Sequence, residues 1–124
     1  MITLEDITDK IEILNYTNWI VSTELEIGTH AELIGNVLLG HLKALKGIKN
    51  NEVVGLCIYN VNLPNCFINF VYCKTDFMLF QQKFFALCNL HGIKRIQATS
   101  MHSDKVFTRL TSMVKKYSVF EKEL

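Results

Sequence analysis

Residues 66–92 read CFINFVYCKTDFMLFQQKFFALCNLHG, and their character changes once, at the polar turn 74–76. The eight residues before that turn are almost continuously apolar, which is typical of a strand with both faces covered. From Phe77 onward, apolar side chains recur at helical spacing. The first turn of a helix has unpaired backbone N–H groups and the positive end of the helix dipole, so such a turn can hold an anion. We expect the rest of the chain to be organised around this unit.

Chain length and charge narrow the class of protein. With 124 residues the sequence predicts one domain, residues 1–124, which is long enough to bury a core without a disulfide or a metal. The formal net charge is +1, and the basic residues are scattered apart from a mild gathering in the last third. A nucleic-acid-binding face is normally strongly basic, so the charge pattern argues against nucleic acid as a partner.

The hydropathy of the chain favours a folded protein with a partner. Apolar residues make up 49% of the sequence, with eight phenylalanines and one proline, which excludes disorder and favours an additional buried face. A protein interface or self-assembly would provide that face. No apolar run approaches the roughly 18 residues of a membrane span, and the N-terminus lacks a basic start and an apolar signal core. We expect no membrane insertion and a cytoplasmic location, or packaging from the cytoplasm.

The cysteines and histidines do not form a recognisable metal site. The four cysteines lie in apolar runs without C-x-x-C spacing, which predicts reduced core residues. Cys57 and Cys66 flank a predicted hairpin and could approach one another, although a reducing compartment argues against a bridge. The four histidines are too scattered to suggest a ligand set, so we expect no metal.

Helical spacing is the main signal in the first fifty residues. Apolar residues recur at this spacing from the N-terminus, which predicts an amphipathic helix over residues 4–20. A capping box at residues 29–32 predicts the start of a second helix, and Gly47 is its predicted terminator. Gly35 and Gly40 inside that helix either allow a close approach of another element or are tolerated weak points.

The middle of the chain predicts an antiparallel hairpin. Residues 52–60 and 66–73 are rich in strand formers, and Asn50 and Asn51 supply the turn that precedes them. Because the second strand is apolar on both faces, helices should pack on both sides of the sheet.

The last third predicts a parallel crossover. A helix that Thr75 can cap leads to a strand over residues 93–99, which should run parallel to residues 66–73. A short helix from Ser103 or Asp104 and an edge strand over residues 117–122 follow. The predicted fold class is α/β (α+β), a mixed central sheet with helices on both faces in the order α-α-β-β-α-β-α-β.

This order of elements resembles the acyl-CoA N-acyltransferases of the GNAT superfamily. The features that carry the resemblance are the strand from Val53 with its hairpin partner, the unit 66–92, and the helix end, glycine and strand at 91–99. The resemblance covers residues 25–122, and the family's first strand is missing or reduced to residues 1–4. It implies a GNAT fold and, in active members, an acyl-CoA whose acyl group is transferred to an amine.

In active members the turn after the central strand carries glycines whose backbone amides hold the pyrophosphate of the cofactor. The corresponding turn here has no glycine, and Asp76 would repel a pyrophosphate, which Lys74 would partly offset. The alternative is that Thr75 and Asp76 only cap the helix. If an acyl-CoA is bound, the resemblance makes the candidate binding residues Phe70, Tyr72, Cys73, Lys74, Thr75, Asp76 and Phe77.

The residues that would carry catalysis are not evident. The resemblance implies a tyrosine that protonates the leaving thiolate, but the matching position is Phe107, and Tyr117 lies in a predicted strand. His102 follows the end of a strand and is a weak candidate for a base. Cys73 is a second weak candidate, because it stands beside a helix N-terminus that would lower its thiol pKa. A structural role is the alternative for both.

Two hypotheses remain, and the sequence leaves open whether the chain is an enzyme. The first is a GNAT-fold module with degraded motifs and no cofactor, because the chain resembles small GNAT-like proteins of tailed phages, including internal virion proteins. Phe85 would then be an exposed contact residue. The alternative is a divergent N-acyltransferase that uses acetyl-CoA or another acyl-CoA. That alternative requires an open V between the strands that end at Cys73 and Thr99.

Overall fold

The computed structural model describes residues 1–22, 27–98, 114–116 and 119–124, which form one seven-stranded sheet with helices on both faces. The strands are β1 Thr3–Asp6, β2 Lys43–Lys49, β3 Glu52–Asn62, β4 Asn65–Cys73, β5 Arg95–Ala98, β6 Val114–Lys116 and β7 Val119–Glu123. The helices are a 3₁₀ helix over Lys10–Tyr16, α1 Thr17–Val21, α2 Ile27–Leu38 and α3 Phe77–Leu90. None of the helices in these ranges has both the length and the apolar character needed to span a bilayer.

The sheet is mixed, in the order β1-β2-β3-β4-β5-β7-β6. Strands β1 to β4 pair antiparallel, and β5 pairs parallel with β4 after the α3 crossover. The predicted fold class is therefore confirmed. The prediction that residues 117–122 form an edge strand is wrong. Strand β7 pairs with β5 on one side and with β6 on the other, so it lies inside the sheet.

Two hydrophobic cores lie on opposite faces of the sheet, as the apolar strand predicted. The core on the α3 side includes Phe80, Phe84, Cys88, Leu45 and Ile96. The core on the α2 side includes Ile13, Ile20, Val37, Leu56 and Ile58. Burial of apolar side chains on both faces is the main source of stability for this arrangement.

The predicted helix over residues 4–20 is wrong in its first half, where β1 pairs with β2. The apolar repeat that suggested a helix does not form one buried face. Leu4 and Ile7 pack against opposite cores, and Ile11 is 66% exposed. Ile13 and Tyr16 are buried instead, three residues apart on the 3₁₀ helix. Asp9 starts this helix, because its side chain accepts a hydrogen bond from the Ile11 backbone N–H at 3.2 Å.

The second predicted helix is also too long. Helix α2 begins at Ile27, before the predicted capping box, and ends at Leu38. Gly40 has φ +82°, a conformation that glycine adopts readily, and it ends the helix in place of Gly47. Gly47 lies within β2, where apolar residues alternate between the two faces of the sheet.

Phe85 is not an exposed contact residue, because it is buried in the core on the α3 side. Its ring lies 5.8 Å from Lys122 Nζ of β7, which covers it. The predicted short helix with Phe107, and the candidates His102 and Tyr117, lie outside the described residues.

Candidate functional site

Within the described residues, β5 pairs with only the first part of β4. Parallel pairs join the two strands, the last between Ile68 and Ala98. Strand β4 then continues to Cys73 and stays paired with β3 on its other side. In the described part of the chain, no strand pairs with residues 69–73 on the β5 side. We call the region on the β5 side of residues 69–73 the β4–β5 cleft.

A β-bulge follows the last described pair between β4 and β5. Ile58 and Tyr59 are consecutive on β3, but they pair with Phe70 and Ile68 on β4, so Asn69 is the extra residue. The bulge reverses the faces of β4, since Ile68 lies in the α3-side core and Phe70 in the α2-side core. The Oδ1 atom of Asn69 is buried and finds no hydrogen-bond donor among the described residues.

The turn between β4 and α3 contains an aspartate in the left-handed region. Asp76 has φ +57° and ψ 44°, which glycine adopts freely and aspartate more readily than most residues. Its side chain makes no capping hydrogen bond, so the predicted side-chain cap by Asp76 is wrong. The reason is a competing partner, since Lys49 Nζ lies 2.6 Å from Asp76 Oδ2.

Two lysine–acid pairs balance the charge of this turn. The hydrogen bond from Lys49, together with its charge, lowers the pKa of Asp76 below its usual range. Lys74 forms an ion pair with Glu52. A phosphate would therefore meet two cations as well as two anions. The repulsion by Asp76 that the sequence predicts is accordingly weaker, because Lys49 lies beside the carboxylate.

The hairpin between β2 and β3 brings two of these charges to the site. Asn50 and Asn51 have φ +53° and +63°, as a two-residue hairpin turn requires, which confirms the predicted turn. Lys49 and Glu52 flank it as a cross-strand pair. The tip of this hairpin thus stands beside the turn at residues 74–76.

The first turn of α3 offers backbone donors. The first helical hydrogen bond runs from the Phe80 N–H to the Asp76 carbonyl, 3.0 Å apart. The N–H groups of residues 77–79 precede it and have no acceptor within the helix. Because α3 has 14 residues, its dipole adds positive potential at the same place. The predicted anion-binding geometry is therefore present at this turn.

Cys73 is half-buried, and its environment differs from the predicted one. Burial raises the pKa of its thiol, and this effect outweighs the lowering by the Thr75 backbone. The thiol itself donates a hydrogen bond to the Thr75 carbonyl oxygen, 2.7 Å from Sγ. The expected lowering of this pKa is therefore wrong. The thiol stays protonated at neutral pH and is a poor nucleophile.

The predicted cofactor residues divide into two groups. Lys74, Asp76 and their neighbours in the turn lie together at the start of α3. Phe70 is buried in the α2-side core, away from the turn. Tyr72 contacts Trp19 on the same side, with ring centroids 4.9 Å apart. These two aromatic side chains therefore belong to the packing beneath α1 and α2.

Sequence reasoning missed two residues of the site, Lys49 and Asn69. Lys49 had a usable signal, since a residue that precedes an Asn-Asn turn stands at the tip of a hairpin. Asn69 is a polar residue within an apolar strand, which is compatible with a bulge but does not identify one.

A pocket of about 340 Å³ lies at the opposite end of the sheet. It is lined by the end of β1, the start of β2 and the loop after α2, with Asp6, Lys10, Lys43 and Tyr59 among its residues. Because β4 begins at that end of the sheet and finishes at the α3 turn, the pocket is separate from the β4–β5 cleft.

Comparison with known proteins identifies the fold. No protein-family model matches the sequence, and no curated protein matches it. Among solved structures, a GNAT family acetyltransferase from Elizabethkingia anophelis with acetyl-CoA bound has a TM-score of 0.71 at 10% identity, and the match covers 99% of this chain and 98% of that one.

Two further structures agree with this result. The PaiA N-acetyltransferase from Thermoplasma acidophilum in complex with coenzyme A has a TM-score of 0.66 at 9% identity, covering 100% of this chain and 99% of that one. Tetrahymena GCN5 has a TM-score of 0.70 at 11% identity, covering 98% and 95%. The chain therefore has the GNAT fold, as its element order predicted.

Proposed function

We propose that this chain, which has the GNAT fold, binds an acyl-CoA in the β4–β5 cleft and transfers the acyl group to an amine. The observation that carries the proposal is the stretch of β4 beyond Ile68, which no described strand covers on the β5 side and which leads directly to the first turn of α3. Similar structures contain coenzyme A or acetyl-CoA, which supports the same ligand class here.

The two ends of the cleft suit the two ends of such a ligand. The backbone donors at residues 77–79 suit phosphate groups, and Lys49 and Lys74 lie nearby. The backbone groups of residues 69–73 on the β5 side suit an extended chain that adds to a strand edge. Asn69 adds a buried acceptor at the inner end.

The described residues contribute positioning to the reaction. A bound thioester would supply an activated carbonyl group that an amine can attack. The acids near the cleft, Glu52 and Asp76, are both engaged by lysines, and the Cys73 thiol is protonated. Holding a donor and an amine at a fixed distance can by itself supply a large part of a rate enhancement.

Titration of the purified chain with acetyl-CoA tests the proposal. We expect a dissociation constant in the micromolar range by calorimetry and a higher melting temperature, since a ligand at a hundred times its dissociation constant stabilises the folded state by about 2.7 kcal/mol. No heat and no thermal shift at millimolar acetyl-CoA would exclude the proposed ligand.

The charge of Asp76 gives a directional test of where the phosphates lie. Asp76→Asn should bind acetyl-CoA about threefold to tenfold more tightly than the natural chain, because the carboxylate is lost and Lys49 is released toward the phosphates. Asparagine also tolerates the left-handed backbone, so the fold should be retained. The affinity is measured by calorimetry at low and high salt, and the gain should shrink at high salt.

Glu52→Gln is a second charge variant at the same turn. It removes the other acid at the turn and releases Lys74 in the same way, but it lies on β3 and leaves the backbone before α3 unchanged. If Asp76→Asn binds acetyl-CoA no more tightly than the natural chain, the phosphates do not lie at this turn.

A second candidate function is an interaction or structural module without transferase chemistry, assembled with other chains in a phage particle. The observations in its favour are the turn without glycine and a set of exposed apolar side chains. Among the described residues, the most exposed of these are Met1, Leu90, Leu39, Ile11 and Leu63. The acetyl-CoA titration distinguishes the two candidates, because the module requires no thioester.

A further inference from the structure

The pocket at the other end of the sheet lies between two segments of the chain. One segment runs from the end of β1 into the 3₁₀ helix, and the other joins α2 to β2. The Ile7 backbone N–H donates to the Ala44 carbonyl, 3.0 Å away, and ties the two segments together. The pocket volume of about 340 Å³ is at the lower end of the range in which proteins bind small molecules. We call it the β1–β2 pocket.

Three charged side chains line the β1–β2 pocket, and none of them has a hydrogen-bond or ion-pair partner among the described residues. They are Asp6, Lys10 and Lys43. On the opposite face of the same two strands, Lys46 Nζ lies 3.8 Å from Glu5 Oε1. Asp6 and Lys43 lie on neighbouring strands but are two residues out of register, and their charged groups do not meet. The pocket thus brings together charges that the fold does not pair.

Lys10 reaches the β1–β2 pocket from the 3₁₀ helix. Its Nζ atom lies against the backbone of Gly40, 2.6 Å from where a Cβ atom would stand. The end of α2 is closed by its own backbone, since the N–H groups of His41 and Leu42 both donate to the Asn36 carbonyl. The Lys10 ammonium makes no hydrogen bond to this turn, so its three donors remain available to a ligand.

Tyr59 adds a hydroxyl group to the lining of the β1–β2 pocket. The residue is only 9% exposed, and its ring packs edge to face against Phe84, with centroids 5.2 Å apart. Its hydroxyl has no hydrogen-bond partner among the described residues, which is unusual for a tyrosine buried to this extent. Burial and the nearby charge of Asp6 raise the pKa of this hydroxyl, so it is protonated at neutral pH and can donate.

We propose that the β1–β2 pocket binds a small monocarboxylate that carries a hydroxyl group. The ligand carboxylate accepts hydrogen bonds from Lys10, Lys43 and Tyr59, and the ligand hydroxyl donates to Asp6. Because the pocket contains two cations and one anion, it suits a ligand with a single negative charge. Its apolar walls, which include Val37, suit a short hydrocarbon chain. The site is independent of the proposed acyl transfer, since the β4–β5 cleft lies at the other end of β4.

Three ligands with the same carbon skeleton test this assignment by NMR titration of the purified chain. We expect 3-hydroxybutyrate to bind with a dissociation constant of about 1 mM or lower and to shift the amide signals of residues 6–10 and 40–44. Butyrate, which lacks the hydroxyl, should bind about threefold to tenfold more weakly. The neutral 3-hydroxybutyramide should bind about tenfold more weakly or worse, because the lysines then have no anion.

Variants identify the side chains that hold the ligand. Lys43→Met should weaken binding of 3-hydroxybutyrate about tenfold or more, and Lys10→Met should act in the same way. Lys94→Met is the matched control, because it removes the same charge from an exposed lysine that does not line the pocket. Asp6→Ala should retain carboxylate binding but lose the preference for 3-hydroxybutyrate over butyrate. Melting temperatures without ligand verify that each variant is folded.

The assignment is overturned if both pocket-lysine variants bind 3-hydroxybutyrate as tightly as Lys94→Met does. It is also overturned if 3-hydroxybutyrate at about ten times the expected dissociation constant leaves the signals of residues 6–10 and 40–44 unmoved. Acetyl-CoA should not displace 3-hydroxybutyrate from the natural chain. Displacement would place the carboxylate in the β4–β5 cleft and would overturn the second site while the proposed function stands.

Discussion

Replacing Phe80 by alanine should lower the free energy of unfolding by about 3–5 kcal/mol. The ring is fully buried between α3 and the sheet. It lies directly over two glycines, since a Cβ atom added at Gly47 would be 2.6 Å from the ring and one added at Gly55 would be 2.8 Å away. The glycines cannot fill the resulting cavity. Urea unfolding followed by circular dichroism measures the loss, which is large against a typical total stability of about 5–15 kcal/mol.

Leu90→Ala provides the control on the same helix. Leu90 is the last residue of α3 and is 84% exposed, so its truncation should change the free energy of unfolding by no more than about 0.5 kcal/mol. A Phe80→Ala chain that unfolds at the same urea concentration as Leu90→Ala would show that Phe80 does not anchor α3 to the sheet.

Lys46→Met should lower the free energy of unfolding by about 1–3 kcal/mol. Lys46 Nζ lies 2.7 Å from Glu12 Oε2, and the two side chains are only 14% and 23% exposed. The Tyr16 hydroxyl donates to the same carboxylate oxygen. Methionine keeps the apolar stem of the lysine but leaves the carboxylate partly buried without its cation. Urea unfolding at neutral pH measures the loss.

The same pair predicts a pH dependence. Burial alone would raise the pKa of Glu12, but the hydrogen bonds from Lys46 and Tyr16 outweigh it and lower the pKa. A lowered pKa in the folded state adds stability above the ordinary glutamate pKa, about 4.3, and this stability is lost as the pH falls through the lower folded value. The stability gap between the natural chain and Glu12→Gln should therefore narrow on acidification below about pH 4. A gap that widens in acid would contradict the assignment.

The part of the fold that the sequence predicts well is the part with a strong local signal. The strand at 66–73, its hairpin partner and α3 were predicted because continuous apolarity and helical spacing are unambiguous there. The parallel pairing of β5 followed from the crossover rule. These elements form the centre of the sheet and were sufficient to indicate the GNAT fold.

The first fifty residues could not be predicted as well, because two patterns overlap there. Strand β1 has only four residues and owes its conformation to pairing with β2, a long-range contact without a local signal. The apolar repeat continues from α2 into β2, so the spacing predicts a helix that includes Gly40. Its positive φ shows that the helix ends there.

The site was predicted at the level of the turn but not of its chemistry. The sequence located the strand-to-helix turn after Cys73 correctly, and the anion site at that turn stays a prediction. It could not show that Lys49 pairs with Asp76 or that burial raises the Cys73 pKa, because both depend on elements distant in sequence. The position of Asn69 in a bulge is evident only from the register of β3 and β4.

The order in which the sheet assembles follows from its connections. The two hairpins that join β2, β3 and β4 are closed by two-residue turns, so their contacts form between near neighbours in the chain. Strand β1 instead docks on β2 across nearly the whole first third of the chain, and β5 reaches β4 only after α3 has formed. Long-range contacts form only after the entropy cost of closing a long loop has been met. The three-stranded meander should therefore nucleate folding, and the outer strands should join late. The proposed site lies at the border between these two stages, where the early meander meets β5.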